Sequence, residues 1–193
     1  MKKAESIFSV FILLGIILKL FDVPGNSIIL ILSFSSLAVI YFNFGFLFFN
    51  DIRLRDIFKR ESYKKVTAKR TVGAIATGIA LSLILIGILF KIEIWPGSSN
   101  IIKPGLFLLS IIIIITLVLR KDRKSRFYKK IYTRTLIIGL FGIIAYLIPF
   151  DLLIDLYYDD KPEVAEIMKE VMKDPYNEEN QEELDKAWEK YLE

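Results

Sequence analysis

The stretch LFKIEIWPGSSN, Leu89–Asn100, separates two long apolar runs of the chain. The run before it has no charged residue over the 20 positions Thr71–Phe90, and a second uncharged run covers the 24 positions Ser27–Asn50. About 20 helical residues are enough to cross a hydrocarbon core about 30 Å thick. Both runs are therefore predicted to be transmembrane helices.

Three shorter apolar runs extend this pattern, because lysines at helix ends can reach the headgroups and lengthen a span. The sequence predicts an all-α fold: a polytopic transmembrane helical bundle of about five spans in repeated helical hairpins, with a short amphipathic C-terminal helical tail. The expected transmembrane domain covers 1–158 and the acidic helical-hairpin tail covers 159–193. The predicted spans are 6–21, 27–49, 71–91, 101–119 and 134–151.

The charges are segregated along the chain. The loop 51–70 holds eight Lys/Arg against three acids and 120–134 holds eight against one, whereas the tail 151–193 holds five against fifteen. Short cytoplasmic loops carry the excess of Lys and Arg. We therefore expect a multi-pass membrane protein with a cytoplasmic N-terminus and a tail on the opposite side of the membrane, which in a bacterium is the periplasm. The basic loops are expected to orient the chain and to contact anionic lipid, with no nucleic-acid partner.

An internal repeat becomes visible when Leu14–Ser27 is set over Ile86–Ser99, an offset of 72 residues. Identical positions include Gly15 and Gly87, Lys19 and Lys91, Pro24-Gly25 and Pro96-Gly97, and Ser27 and Ser99. The repeated unit is a helical hairpin with a short outer turn and a basic inner loop. Both copies cross the membrane in the same direction.

The repeated motif has the chemistry of a membrane turn. Pro cannot continue a helix and Gly adopts positive φ readily, so Pro-Gly favours a type II turn. Lysines in the last helical turn meet the negative end of the helix dipole, Trp prefers the interface, and the adjacent serines and asparagines can cap the next helix. The acids are close enough to the lysines to pair with them. The motif residues are Lys19, Asp22, Pro24, Gly25, Lys91, Glu93, Trp95, Pro96 and Gly97.

The segment Phe90–Gly97 resembles the Phe-Lys-Ile-x-His-Trp-Pro-Gly signature of the GldL family, the inner-membrane subunits of the gliding-motility and type IX secretion motor. The resemblance covers about Gly87–Leu119 and, more loosely, the first hairpin. It implies a bacterial inner-membrane protein with a shared membrane hairpin that self-associates or binds other membrane subunits. Ile94 is at the position where the family has histidine. The family also has a glutamate within the membrane in its second helix, whereas Lys103–Leu119 contains no carboxylate.

Catalytic chemistry has few candidates in this sequence. Histidine and cysteine are both absent, and the predicted span cores hold no ionisable residue. We predict no enzyme, no catalytic residues, no cofactor and no metal site. The charged residues near the outer interface have two interpretations, an ion-binding vestibule or interfacial anchoring, and anchoring is favoured because charge at helix ends is common. These residues are Lys19, Lys91, Lys103, Asp22, Glu93, Asp151 and Asp155.

The tail carries apolar stripes with helical spacing. One stripe includes Val164, Ile167 and Met168, and a second includes Trp188 and Tyr191. The two amphipathic helices are expected to pack on each other, and the alternative is that Trp188 and Tyr191 anchor a partner. The sequence therefore favours a non-enzymatic scaffold or partner-binding membrane subunit. A small channel or transporter that uses the lysine and carboxylate cluster is the alternative.

Overall fold

The computed structural model describes residues 2–64, 66–118 and 126–192. Regular structure in these residues is entirely helical, with no strand. The helices are α1 Lys2–Leu20, α2 Asn26–Phe49, α3 Ala68–Ile92, α4 Ser98–Val118, α5 Arg126–Leu147, α6 Phe150–Tyr157, α7 Pro162–Lys173 and α8 Glu178–Leu192. Short 3₁₀ turns at Leu54–Asp56 and Arg60–Tyr63 lie between α2 and α3.

Four of the described helices, α2 to α5, are long and apolar enough to cross a membrane. This composition fits an integral, multi-pass membrane protein. Helix α1 has 19 residues and carries four charged residues, Lys2, Lys3, Glu5 and Lys19. The predicted α-helical bundle is thus confirmed at the level of four membrane-capable helices, and a fifth span stays a prediction.

The bundle is built around α3. This helix packs against α2, α4 and α5, whereas α1 packs on α2. Consecutive helices run in opposite directions, so the turns after α1 and α3 lie at one end, which we call the Pro-Gly end. The loop after α2 and the start of α5 lie at the opposite end, which we call the basic end. Many large apolar side chains of α1, α4 and α5 face outward, as lipid-facing residues do.

Small residues let the central helices approach closely. A Cβ placed on Gly78 of α3 would lie 2.4 Å from the carbonyl oxygen of Tyr41, and one placed on Gly45 of α2 would lie 3.1 Å from Gly78 Cα. Helix α3 is therefore in backbone contact with α2 at this level. The small residues of α3 are used for packing within this bundle.

The fifth predicted span, 134–151, differs from the observed helix at both ends. Helix α5 begins at Arg126 and ends at Leu147. It begins earlier because Phe127, Ile131 and Thr135 recur every four residues and are all buried, so one helical face continues into the basic segment. It ends earlier because Pro149, with ψ of 152°, turns the chain out of the helix. The predicted end of the fourth span, residue 119, lies outside the described residues.

The described residues 150–192, which we call the tail from here on, contain one more helix than the sequence predicted. The expected transmembrane domain ended at residue 158, but Phe150–Tyr157 forms the separate helix α6 after the break at Pro149. Helix α7 packs against both α6 and α8. Two amphipathic helices were expected in 159–193, where α7 and α8 lie, and α7 and α8 pack against each other.

Candidate functional site

The two Pro-Gly turns have the same backbone conformation. The residue two positions before each proline has positive φ, 48° at Asp22 and 53° at Ile94, and both glycines have φ of 85°. The hydrogen bonds that close each helix match as well, Val23 N to Leu18 O at 2.9 Å in one copy and Trp95 N to Phe90 O at 2.8 Å in the other. Both helices thus end in the αL closure that usually favours glycine.

The repeat extends from the turns into the helix packing. A Cβ placed on Gly15 would lie 2.8 Å from Leu30, and one placed on Gly87 would lie 2.3 Å from Ile102. The members of each pair are related by the same 72-residue offset, and Leu30 and Ile102 are both fully buried. The pairs α1–α2 and α3–α4 are therefore two copies of one structural hairpin.

The first turn confirms the predicted turn type and corrects the predicted caps. Gly25 has φ 85° and ψ 0°, as the third position of a type II turn requires, and Asn26 N donates to Val23 O at 3.3 Å. We expected Asn26 and Ser27 to cap α2. No side chain caps this helix, because Asn26 Nδ2 donates to Val23 O and Ser27 Oγ donates to the Glu93 carboxylate.

Glu93 connects the two copies of the turn. Its Oε2 accepts a hydrogen bond from Lys19 Nζ at 2.7 Å and from Ser27 Oγ at 2.8 Å. The Glu93 side chain is only 5% exposed, and its other oxygen, Oε1, has no hydrogen-bond partner in the described structure. The ion pair between Lys19 and Glu93 thus joins the first turn to the second. The sequence was equally compatible with ion pairs within each turn.

Lys91 is buried without a carboxylate partner among the described residues. The residue is 4% exposed, and its ammonium lies 3.5 Å from the centroid of the Phe150 ring. A cation over an aromatic face is attracted by the ring quadrupole. The interfacial Trp95 packs edge-on against Phe90 with the ring centroids 5.1 Å apart, and Lys103 Nζ lies 5.8 Å from the Tyr146 ring.

The charged residues that the sequence predicted at the outer interface do not form one cluster. Asp155 pairs with Lys169 of α7 at 2.7 Å and does not pair with a bundle lysine. The hydrogen bonds that the Lys169 ammonium donates to Asp155 and to Glu166 raise the pKa of Lys169. Asp22 is exposed on the first turn. Of the charged residues expected at this end, the structure brings Lys19 and Glu93 into direct contact.

Two tyrosines at the end of α6 lie close to the Glu93 junction. The Lys19 ammonium is 5.3 Å from the Tyr157 ring centroid. Burial, and then the negative charge of Glu93, raise the pKa of Tyr157 to about 12. Burial and the charges of Asp22 and Glu93 also raise the pKa of Tyr158. Glu93 therefore lies where α1, α2, the second turn and α6 meet.

The tail docks on the second turn through Ile94. The Ile94 side chain is buried in one cluster with Ile154 of α6 and Ala165 of α7. A β-branched residue with positive φ is a conformational outlier, and this burial offsets the local strain. The tail core thus includes a residue supplied by the bundle.

Of the two aromatic residues predicted to bind a partner, Trp188 and Tyr191, the structure describes the side chain of Trp188. The Trp188 ring packs edge-on against Tyr158 at 5.7 Å, and Lys161 Nζ lies 5.7 Å from the same indole ring. Trp188 is thus partly buried within the tail. Tyr191 belongs to α8, but its side chain lies outside the described part of the chain. A partner contact through Trp188 or Tyr191 stays a prediction.

A second polar junction, not predicted from the sequence, lies inside the bundle. Arg134 of α5 makes two hydrogen bonds to Glu5 of α1, Nε to Oε1 at 2.7 Å and Nη2 to Oε2 at 2.6 Å. Tyr41 of α2 donates its hydroxyl to Glu5 Oε1 at 2.6 Å and is 1% exposed. The sequence predicted span cores without ionisable residues; the structure places Arg134 eight residues after the start of α5 and Glu5 in the first turn of α1.

The depth of this junction follows from helix geometry. Tyr41 is about 22 Å along α2 from the Pro-Gly end, and Arg134 is about 12 Å along α5 from the basic end. A bidentate guanidinium–carboxylate pair is among the stronger ionic interactions in proteins. One hint of this junction was present in the sequence, the acidic Glu5 at the start of an apolar helix. Its pairing with Arg134 was not predictable, because the two residues are 129 positions apart.

Comparisons of the chain with protein-family models, with curated proteins and with solved structures found no match. A functional conclusion therefore depends on the geometry of the Pro-Gly end and of the two ionic junctions.

Proposed function

We propose that this protein is a non-enzymatic scaffold of the bacterial inner membrane that holds its acidic tail at one membrane face for a partner. The main support is the burial of Ile94, a residue of the bundle turn, in the core of the tail. A tail that shares its core with the bundle is held in one orientation relative to the membrane. The GldL-like turn motif is consistent with assembly with other membrane subunits or with a second copy.

The proposed architecture has five spans. Helix α1 is 19 residues long, about 28 Å, which is close to the thickness of the hydrocarbon core. It packs on α2, and ion pairs to Arg134 near one end and to Glu93 at the other fix its position. A cytoplasmic N-terminus and a periplasmic tail then agree with the basic loops.

Site-specific photo-cross-linking in cells tests the scaffold proposal. A photoreactive residue replaces Tyr176, which is 92% exposed in the tail, or Glu182 of α8. The matched control replaces Leu140, a 55% exposed residue of the apolar face of α5. The tail positions should give a discrete protein adduct, either with a second copy or with another subunit, and Leu140 should give none. Absence of an adduct at both tail positions would overturn the scaffold role.

Transport is the second candidate function, and the buried charges at the Pro-Gly end are the observation that favours it. Lys91 has no carboxylate partner among the described residues, and one oxygen of Glu93 has no hydrogen-bond partner there. Ion flux into proteoliposomes, compared between the wild type and Lys91→Met, separates the two candidates. A transporter shows a flux that the variant loses with its fold intact, whereas a scaffold shows no flux in either protein.

A further inference from the structure

The loop 50–64, between α2 and α3, exposes large apolar side chains among basic residues. Phe58 is 98% exposed and Leu54 is 52% exposed. The packing of the bundle and tail does not use the Phe58 side chain. An exposed aromatic side chain beside basic residues is suited to the interface between headgroups and acyl chains.

Three contacts hold this loop beside the end of α2. The buried Ile52 follows directly after the helix. The Tyr63 ring stacks on Phe46 of α2 with centroids 6.2 Å apart and an interplanar angle of 12°. The Tyr63 hydroxyl donates to the carbonyl oxygen of Ile57 at 2.6 Å. Phe46 lies one turn before the end of α2. Tyr63 therefore holds Ile57, the residue next to Phe58, close to the end of this helix.

The acidic residues of the loop are neutralised within the described structure. Asp56 pairs with Lys59 at 2.8 Å, and this hydrogen bond lowers the pKa of the Asp56 carboxyl. Glu61 pairs with Lys64 at 3.5 Å, and Asp51 pairs with Lys130 of α5. Each of the three acids of the loop therefore has a lysine beside it that offsets part of its charge.

Two arginines of the loop remain available for an anion. Arg53 and Arg60 are exposed, and neither has an ion pair among the described residues. They are five and two positions from Phe58 in the sequence. Guanidinium groups bind phosphate oxygens with a matched, bidentate geometry.

We propose that the loop 50–64 is a binding site for anionic phospholipid headgroups of the protein's own bilayer. Phe58 inserts at the boundary between headgroups and acyl chains, and Arg53 and Arg60 bind the lipid phosphates. A lipid is favoured over another macromolecule because the loop is fixed at the level where α2 ends and combines an apolar side chain with positive charge. This inference depends on the membrane-embedded fold and is independent of the scaffold role.

A spin label at position 58 tests the insertion of the aromatic side chain. The chain has no cysteine, so Phe58→Cys gives a single labelling site. The labelled full-length protein is placed in nanodiscs of phosphatidylglycerol and phosphatidylcholine, and its collision rates with oxygen and with a water-soluble nickel chelate are compared. The expected label is more accessible to oxygen than to nickel. Control labels are placed at Tyr176→Cys, expected in water, and at Phe107→Cys, expected in lipid.

Two outcomes of this experiment would overturn the proposal. A label at position 58 that behaves like the one at Tyr176 would show that the loop is in water. A label protected from both reagents would show that a protein surface covers Phe58. A second label at Leu54→Cys repeats the test at the other exposed apolar residue of the loop.

Lipid selectivity tests the role of the two arginines. The fraction of motionally restricted, spin-labelled phosphatidylglycerol, relative to phosphatidylcholine, is measured for the wild type and for Arg53→Gln combined with Arg60→Gln. We expect the preference for the anionic lipid to fall by at least half. The control is Lys173→Gln combined with Lys186→Gln in the tail, which should leave it unchanged. An unchanged preference in the arginine variant would contradict the proposed headgroup site.

Discussion

Gly78 occupies a position in α3 that leaves no room for a methyl group. A Cβ at this residue would meet the Tyr41 carbonyl oxygen at 2.4 Å, so Gly78→Ala must push α2 and α3 apart. We expect a loss of about 1–3 kcal/mol in unfolding free energy, measured by reversible denaturation in micelles. The matched control is Gly73→Ala in the same helix, where the nearest atom is 4.0 Å away. Equal effects of the two substitutions would show that the close approach of α2 and α3 is absent.

Tyr157 gives the docked tail a defined dependence on pH. Its pKa is raised to about 12 in the folded protein by burial and by the charge of Glu93, whereas a free tyrosine titrates near pH 10. The stabilisation is therefore complete below about pH 10 and is lost as the pH rises through 12. The tyrosinate absorbance of the wild type minus that of Tyr157→Phe should titrate with a midpoint near 12. A midpoint near 10 would show that Tyr157 is exposed to solvent.

The repeated turn offers a matched pair of substitutions at the scale of the helical elements. Ile94 and Asp22 have the same αL conformation, but only Ile94 is buried in the tail core. Asp22→Gly should leave the tail docked and stabilise the turn by up to about 1 kcal/mol. Ile94→Gly relieves similar strain but removes a buried side chain worth about 1.5–3 kcal/mol. Limited proteolysis should therefore cut the tail faster in Ile94→Gly alone. Equal cleavage of the two variants would contradict docking through Ile94.

The ion pair between α1 and α5 should behave as a buried unit. Arg134→Gln leaves the Glu5 carboxylate without its charged partner, and the expected cost is about 3–5 kcal/mol. The double variant Glu5→Gln with Arg134→Gln should recover a large part of this loss, because no buried charge is left unpaired. The measurement is a double-mutant cycle of unfolding free energies in micelles.

The exposed pair Lys173–Glu170 supplies the control for this cycle, since both side chains are more than half exposed. Lys173→Gln should cost less than about 1 kcal/mol. If the double variant at the buried pair is no more stable than Arg134→Gln alone, Glu5 and Arg134 are not coupled in the membrane.

Local features of the elements were predictable from the sequence, and long-range contacts were not. Pro24-Gly25 predicted a type II turn because backbone preferences act over four residues. The partner of Glu93 was less predictable, because lysines occur at the same position in both copies of the turn. Docking of the tail on Ile94 had no signal at all, since an apolar residue in a membrane turn has the same appearance whether it meets lipid or protein.

At the scale of the whole molecule, the side of the membrane on which each terminus lies tests the five-span architecture. Because the chain has no cysteine, Lys3→Cys and Tyr176→Cys each provide one site for a membrane-impermeant maleimide. Five spans place the two sites on opposite sides, so the tail cysteine should react from the periplasmic side and position 3 only after the membrane is opened. Arg60→Cys in the basic loop should behave like position 3. Reaction of positions 3 and 176 from the same side would show that α1 does not cross. Reaction of position 3 alone from the periplasmic side would keep five spans and reverse the proposed orientation.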